Sequence, residues 1–448
     1  MARSSAVREV KGVDVKATAI ALSRRLRLDS HHEIERFGVV FSILACLGVI
    51  VFAVSGASAF ERSRSLLASK ALYTADFTTS KTLLAGEVDG VYVNRARDVA
   101  LVMMHFDPEA RISHTASDYR AFLLGSDENL STDPVQTPAV HGSLHVFGST
   151  GYLGVLLRSS EPFESQILNL TVRANAELSF ADPQASGADA DELAGDVTFR
   201  KFDQWRVFLN PGASDTTTIS ALEAKRFNPA KAFYQVVTRE QEASARGALD
   251  AKLLEMRADL TQVSAYGDDL ATTRVGNLSL QPPTVPPILA GDEVTGASAA
   301  ESDPGRSSLK LVTRSVVPGG FDLDWRAGTV YDGYLDEVVP EGQSYVTYLA
   351  AKQAEAAGTD AQSQISDIRW ILSDGTDLTG DYATSEVAMR PLTNVMNSLS
   401  QAYQAYYTHK REYQEALTLD LLALDIDLRD VESNTTEHDG RGFLTVYQ

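Results

Sequence analysis

Twelve residues toward the C-terminal end, Leu392, Val395, Leu399, Tyr403, Tyr406, Lys410, Tyr413, Leu417, Leu421, Leu424, Leu428 and Val431, follow one another at steps of three or four. That spacing is the signature of a helix burying one narrow seam against another helix. A candidate partner lies upstream, where Leu249, Leu253, Met256, Leu260, Val263 and Leu270 step by four, three, four, three and seven, interrupted only at Gly267. The expectation is a long antiparallel, coiled-coil-like hairpin of helices over 220–275 and 384–433. Residues 417–428, LTLDLLALDIDL, also alternate as a strand would, but the seam enters them in phase and predicts helix. Only Lys410 is polar within the second seam. Ser220 to Glu223 reads as a capping box, and Asn228-Pro229 repeats the start signal.

Between the helices, residues 276–308 are Pro-rich and poor in apolar side chains, which predicts an exposed linker. A small mixed α/β insertion is expected over 309–383, at the far tip of the hairpin, with a strand in SLKLVTRSVV and helices over 342–357 and 361–372. Ahead of the hairpin the period changes to two. Runs at Glu87–Val93, Val99–Phe106, Ser143–Phe147, Tyr152–Leu157, Gln166–Ala174 and Val197–Leu209, split by Gly, Pro and polar turns, predict an antiparallel β-sandwich-like domain over 76–212. One short helix is expected inside it, from Ser117 to Gly125. The fold class is therefore α+β, and residues 434–448 read as a tail.

Residues 37–60 contain no charge at all. At about 1.5 Å per residue a helix of that length crosses a hydrocarbon core of about 30 Å. Eight basic residues in 1–36 face five acidic ones, so the positive-inside rule keeps this short tail cytoplasmic and the other 388 residues outside, joined to the span by a stalk helix over 61–75. The alternative is a secreted protein cleaved at Ala59, because Ala57-Ser58-Ala59 has the small-x-small pattern of a processing site. The acidic balance of the outer part, 55 acidic against 32 basic residues after position 36, argues against nucleic-acid binding. The only cysteine, Cys46, lies within the span, so the outer part holds itself together without disulfides.

Catalytic motifs such as GxSxG, GxxxxGK[ST], GxGxxG, HExxH and CxxC do not occur in the sequence. The metal candidates are a histidine group, His105, His141 and His145 with His114 nearby, and the aspartates Asp374, Asp377 and Asp381 of SDGTDLTGD. Neither has a diagnostic spacing, and no cofactor is expected. Tyr407 lies off the helical seam and is the candidate partner-facing aromatic. The sequence thus points to a non-enzymatic, single-pass envelope protein, a scaffold, adaptor or assembly-machine subunit with other envelope proteins or further copies of itself as partners. A receptor or sensor ectodomain is the alternative, and an extracytoplasmic hydrolase the third reading.

Overall fold

The computed structural model describes residues 41–42, 44–52, 55, 66–107, 110, 112–126, 130–174, 202–302, 305–358, 365, 367–382, 386–439 and 442–447. It divides into two units, Met1–Lys70 with Ala213–Asp215, and Ala71–Gly212 with Thr216–Gln448. In the first, residues 41–42, 44–52 and 55 are helical, and Ser214 N–H donates to Ala68 O at 2.9 Å. The rest of the expected span 37–60, the tail 1–36 and the first part of the expected stalk lie outside the described residues. Among the described residues no helix is long and apolar enough to cross a membrane. The stalk segment is helical only at 66–69 where it is described, and Tyr73 instead forms a bridge to Leu209.

The second unit is α+β. Its larger sheet is ordered β1 (Asp76–Thr78), β2 (Ala85–Val93), β3 (Val99–Phe106), β7 (Tyr152–Arg158), β6 (His141–Val146) and β13 (Thr436–Asp439), with β10 (Thr217–Thr218) parallel on β2. The second sheet is ordered β14 (Leu444–Val446), β4 (Tyr119–Ser126), β8 (Ile167–Ala174) and β9 (Gln204–Leu209), with β5 (Thr132–Asp133) on β4. Alternate residues of both sheets meet in one core, for example Val102, Met104 and Val155 from one with Leu123, Leu170 and Val207 from the other. The β2–β3 turn is built as its polar sequence suggests. Asn94 Oδ1 accepts from Asp98 N and Val99 N, both at 3.1 Å, and Arg97 takes a φ of 58°.

Strand β3 is buried on both faces. Ala100, Val102 and Met104 enter the sandwich core, while Val99, Leu101 and Met103 join a second core made with the helices. The run VALVMMHF has no alternation for that reason. The same cause overturns the expected helix over Ser117–Gly125. Only Ala116–Asp118 makes a helical turn, and Tyr119–Ser126 is strand β4, whose residues are nearly all buried and so show no period.

The first long helix starts at Pro229, where Asn228 Oδ1 accepts from Lys231 N at 2.9 Å. It passes through a π-helical turn at Tyr234–Thr238 and runs on as Arg239–Thr272. Ser220–Glu223 is not its cap but a separate 3₁₀ turn, with Glu223 Oε1 accepting instead from Arg95 N at 2.8 Å. The second long helix comprises Glu386–Ala416, a π-helical stretch Leu417–Leu422, and Ala423–Asn434. The two are antiparallel neighbours: Lys252 bonds Glu412 at 2.7 Å and Asp259 bonds His409 at 2.6 Å. The seams bury as expected at Leu249, Leu253, Met256, Leu392, Leu399, Leu417, Leu421 and Val431, while Leu260 is only half-buried. The π-helical stretch carries the alternation of LTLDLL: Leu417, Leu421 and Leu422 are buried, and Leu419 is 69% exposed.

The insertion does not sit at the tip of the hairpin. Strand β11 (Glu293–Thr295), inside the expected linker, pairs with β12 (Lys310–Val312), and Leu280, Ile288, Leu289 and Val294 are all buried. The chain then runs back along the helices. Phe321 N donates to Gln414 Oε1 at 2.9 Å, Trp325 Nε1 to Tyr413 Oη at 3.0 Å, Val330 N to Glu242 Oε1 at 3.1 Å and Leu335 N to Asp425 Oδ2 at 2.7 Å. A helix forms at Tyr345–Gly358, but residues 367–372 are not helical and bridge to Leu280 and Asp377.

Residues 434–448 are more than a tail. Thr436–Asp439 pairs antiparallel with β6, and Leu444–Val446 pairs parallel with β4, so one short segment adds an edge strand to each sheet. A further tie comes from the β6–β7 turn, where Asp430 of the second long helix accepts from Ser149 N at 2.5 Å and Ser149 Oγ at 2.8 Å. Gly148 permits this contact, with a φ of 55° and no room for a Cβ against Asp430.

Candidate functional site

The register of the larger sheet places charged and polar residues in a small grid on its helix-facing side. Arg158 on β7 lies opposite His141 on β6, Leu156 opposite Ser143, and Gly154 opposite His145. On the other side of β6, Ser143 pairs with Asp439 and His145 with Glu437 of β13. Residues i and i+2 share a strand face, so Ser143 and His145 stand side by side. The segment Lys225-Arg226-Phe227, between the 3₁₀ turn and the first long helix, forms the opposite wall. Together they enclose a half-open cleft of about 200 Å3.

Beneath the cleft, His145 is 2% exposed. Its ring lies 4.6 Å from that of Phe227, and its Nε2 is 3.1 Å from Ser143 Oγ and 3.8 Å from Glu437 Oε1. Burial pulls its pKa down to about 4, with Asp439 opposing and Arg158 assisting, so it is neutral at physiological pH. Nδ1 is buried and has no hydrogen-bond partner. A buried N–H without an acceptor is costlier than a bare lone pair, which favours the tautomer protonated at Nε2. His145 then donates to Ser143 Oγ.

Arg246, Arg326 and Arg429 each close on a carboxylate. Arg158, Lys225 and Arg226 have no carboxylate oxygen within 4.0 Å among the described residues. Glu437 and Asp439 on β13 line the same cleft.

The three candidate histidines do not converge on one point. His105 on β3 is bonded through Nδ1 to Asp89 at 2.9 Å, which holds its pKa above the ordinary value, and β7 separates it from β6. His141 lines the cleft and His145 lies under it. Asp374, Asp377 and Asp381 turn onto their own backbone. Asp374 accepts from Thr376 Oγ1 at 2.6 Å and Thr376 N at 3.0 Å; Asp377 accepts from Thr379 Oγ1 at 2.6 Å and caps Leu378–Asp381; Asp381 accepts from Asp377 N at 2.8 Å. The bonds from Thr376 and Thr379 hold the carboxyls of Asp374 and Asp377 below the usual range. Tyr407 is not an exposed anchor; it is 8% exposed and packs in the helical core.

Among the described residues, the one group with His and carboxylate atoms mutually within metal-ligand reach is Glu255, His409 and Glu412 on the hairpin. Lys252 already bonds both carboxylates there, at 2.9 and 2.7 Å.

Lys410, the polar residue of the seam, is fully buried. Its Nζ donates to Asp292 Oδ2 at 2.6 Å, Ile288 O at 2.7 Å, Ser315 O at 2.6 Å and Thr313 Oγ1 at 3.1 Å, and Tyr406 Oη adds a bond to Asp292 at 2.7 Å. With every donor used and no cleft beside it, this group fastens the insertion to the hairpin rather than offering chemistry. The break in the seam was its signal in the sequence; nothing in the linker marked Asp292.

No family model matches this chain, and neither a curated protein nor a solved structure matches it.

Proposed function

We propose that the chain is a non-enzymatic, single-pass protein of the cell envelope, anchored through residues 37–60, whose acidic outer part serves as a scaffold or adaptor for envelope partners. One observation carries the reading. The C-terminal strands enter both sheets immediately after the second long helix, so the hairpin is tied to the sandwich at its base as a stiff lever. A helix of 34 residues extends about 50 Å at about 1.5 Å per residue, enough to hold a partner well away from its foot. The anchor is supported by Phe41, Leu44, Leu47, Val49, Ile50, Val51 and Phe52, all more than half exposed on one helix; apolar side chains on every side of a helix call for an apolar surrounding.

The test is recovery from native membranes in mild detergent. A chain that stays in membranes through an alkaline wash and emerges in a reproducible assembly supports the proposal. A chain found in the wash, or one that purifies alone, contradicts it.

A second reading, a ligand-binding ectodomain, is favoured by the cleft between β6, β7, β13 and Lys225–Phe227.

A further inference from the structure

We propose that Glu255, His409 and Glu412 form a zinc site that fastens the two long helices to each other, with Asp259 orienting the histidine and Lys252 as the cation that zinc displaces. The inference is independent of both the scaffold and the cleft. It starts from placement. His409 and Glu412 are three apart on the second long helix, Glu255 and Asp259 four apart on the first, and residues at those steps share a helix face. The antiparallel packing brings the two faces together, so that one ligand atom from each of Glu255, His409 and Glu412 lies within 4.8 Å of the other two.

Zinc bonds of about 2.0–2.2 Å in a tetrahedron put neighbouring donors roughly 3.3–3.5 Å apart. His409 Nε2 is already 3.8 Å from Glu255 Oε2, and the half-exposed glutamate side chains close the remainder by rotation about their own bonds. An imidazole with two carboxylates suits zinc or a neighbouring transition metal, and disfavours calcium and magnesium, which take oxygen ligands. Three protein ligands leave the fourth position to water.

Asp259 supplies the independent support, since it lies outside the ligand set. It is buried, and His409 Nδ1 stands 2.6 Å from its Oδ2. A carboxylate only accepts, so Nδ1 carries the proton and Nε2 of the neutral ring presents its lone pair. Nε2 makes no hydrogen bond of its own among the described residues. A carboxylate on the far nitrogen is how metal-ligating histidines are commonly held and oriented. Charge points the same way. Lys252 donates to Glu255 at 2.9 Å and to Glu412 at 2.7 Å, and these bonds, Glu412 first, raise its pKa. One ammonium does not balance Glu255, Glu412 and Asp259; a dication in its place does, and the long lysine side chain turns to solvent.

The experiment uses the full-length protein in detergent, stripped with EDTA and dialysed, and follows thermal unfolding and calorimetric titration with zinc chloride, since a metal bound by the folded state raises the midpoint. Zinc is expected to raise it, and magnesium or calcium at the same concentration to leave it unchanged. His409→Gln is expected to abolish zinc binding, and Asp259→Asn, which keeps the shape and loses the charge behind the ring, to weaken it about tenfold or more. Lys252→Met is expected to tighten it several-fold, because the competing cation is gone, and His141→Gln to bind like the parent. Cobalt(II) gives a reading that does not depend on stability: the parent should develop the visible absorption of a tetrahedral site, and His409→Gln should not. The Lys252→Met titration and the cobalt spectrum keep the idea open to refutation where His409→Gln folds poorly. Zinc that leaves the midpoint unchanged, acts equally on His409→Gln, is matched by calcium, or binds Lys252→Met more weakly than the parent overturns the site. Each of those results leaves the scaffold standing, because its own test involves no metal.

Discussion

At the scale of single residues, the chain buries several charges, Lys410, Asp425 and Glu242 among them, each with hydrogen-bonded partners. Lys410 is the extreme case. Burial pulls its ammonium toward the neutral form and the Asp292 carboxylate opposes this. Removing one partner strands the other, so Lys410→Ala is expected to cost about 3–5 kcal/mol in denaturant unfolding. The pair Lys410→Met with Asp292→Leu is expected to recover much of that loss, because both charges then leave together. His145 gives a pH test with a definite sign. Its pKa falls from 6.5 in the unfolded chain to about 4 in the folded one. Between those values the unfolded chain takes up a proton that the folded chain refuses. Stability from this group is therefore complete above pH 6.5 and lost as pH falls toward 4, by about 3 kcal/mol at about 1.4 kcal/mol per unit. His105, whose pKa is raised by Asp89, works in the opposite direction: its contribution is present below pH 6.5 and lost as pH rises through its folded value. The difference between parent and His145→Leu isolates the first effect; equal acid sensitivity in both would contradict it.

At the scale of elements, the hairpin depends on its buried seam. Leu421 is fully buried and Leu254 is 44% exposed. Leu421→Asp is expected to lower stability by several kcal/mol, having lost a core leucine and stranded a carboxylate, whereas Leu254→Asp stays within about 0.5 kcal/mol. Thermal unfolding of both variants checks this. Gly247 sits exposed in the first long helix, with open space where a Cβ would project. Gly247→Ala is expected to stabilise by about 0.5–1 kcal/mol, and a loss in the same assay would show that the helix is interrupted there.

These elements were legible to different degrees, for physical reasons. The strands over 85–106 and 141–174 announced themselves because polar turns bounded them, and the seams did so through their spacing. Tyr119–Ser126 was not legible, since a strand nearly all buried loses the period that identifies it. The segment 276–308 looked too polar to fold because its few apolar residues, Leu280, Ile288, Leu289 and Val294, are buried by the helices rather than by one another. The candidate site was legible only in part. His141 and His145 were visible as a pair four residues apart in strand phase, but Arg158, Lys225 and Glu437 come from three distant stretches, and pairing of residues 436–439 with β6 left no local mark.

At the scale of the whole molecule, the unit of Ala71–Gly212 and Thr216–Gln448 has two cores that share strand β3, one between the sheets and one between the larger sheet and the helices. Strand β3 contributes to both, so neither core can open without disturbing the other. The buried bonds of Lys410, Gln414, Asp425 and Glu242 extend the second core into the insertion. Scaffolding at a distance from the membrane requires that stiffness, because a hairpin hinged freely on the sandwich would not fix where its partner sits.

Calorimetry of a fragment spanning 71–448 measures this directly. One heat-absorption peak, with calorimetric and van't Hoff enthalpies in agreement, is the result expected of sheets, hairpin and insertion that melt together. Two separated peaks, or a calorimetric enthalpy near twice the van't Hoff value, would mean that sandwich and helices unfold independently and would contradict the rigid lever on which the proposed scaffold rests.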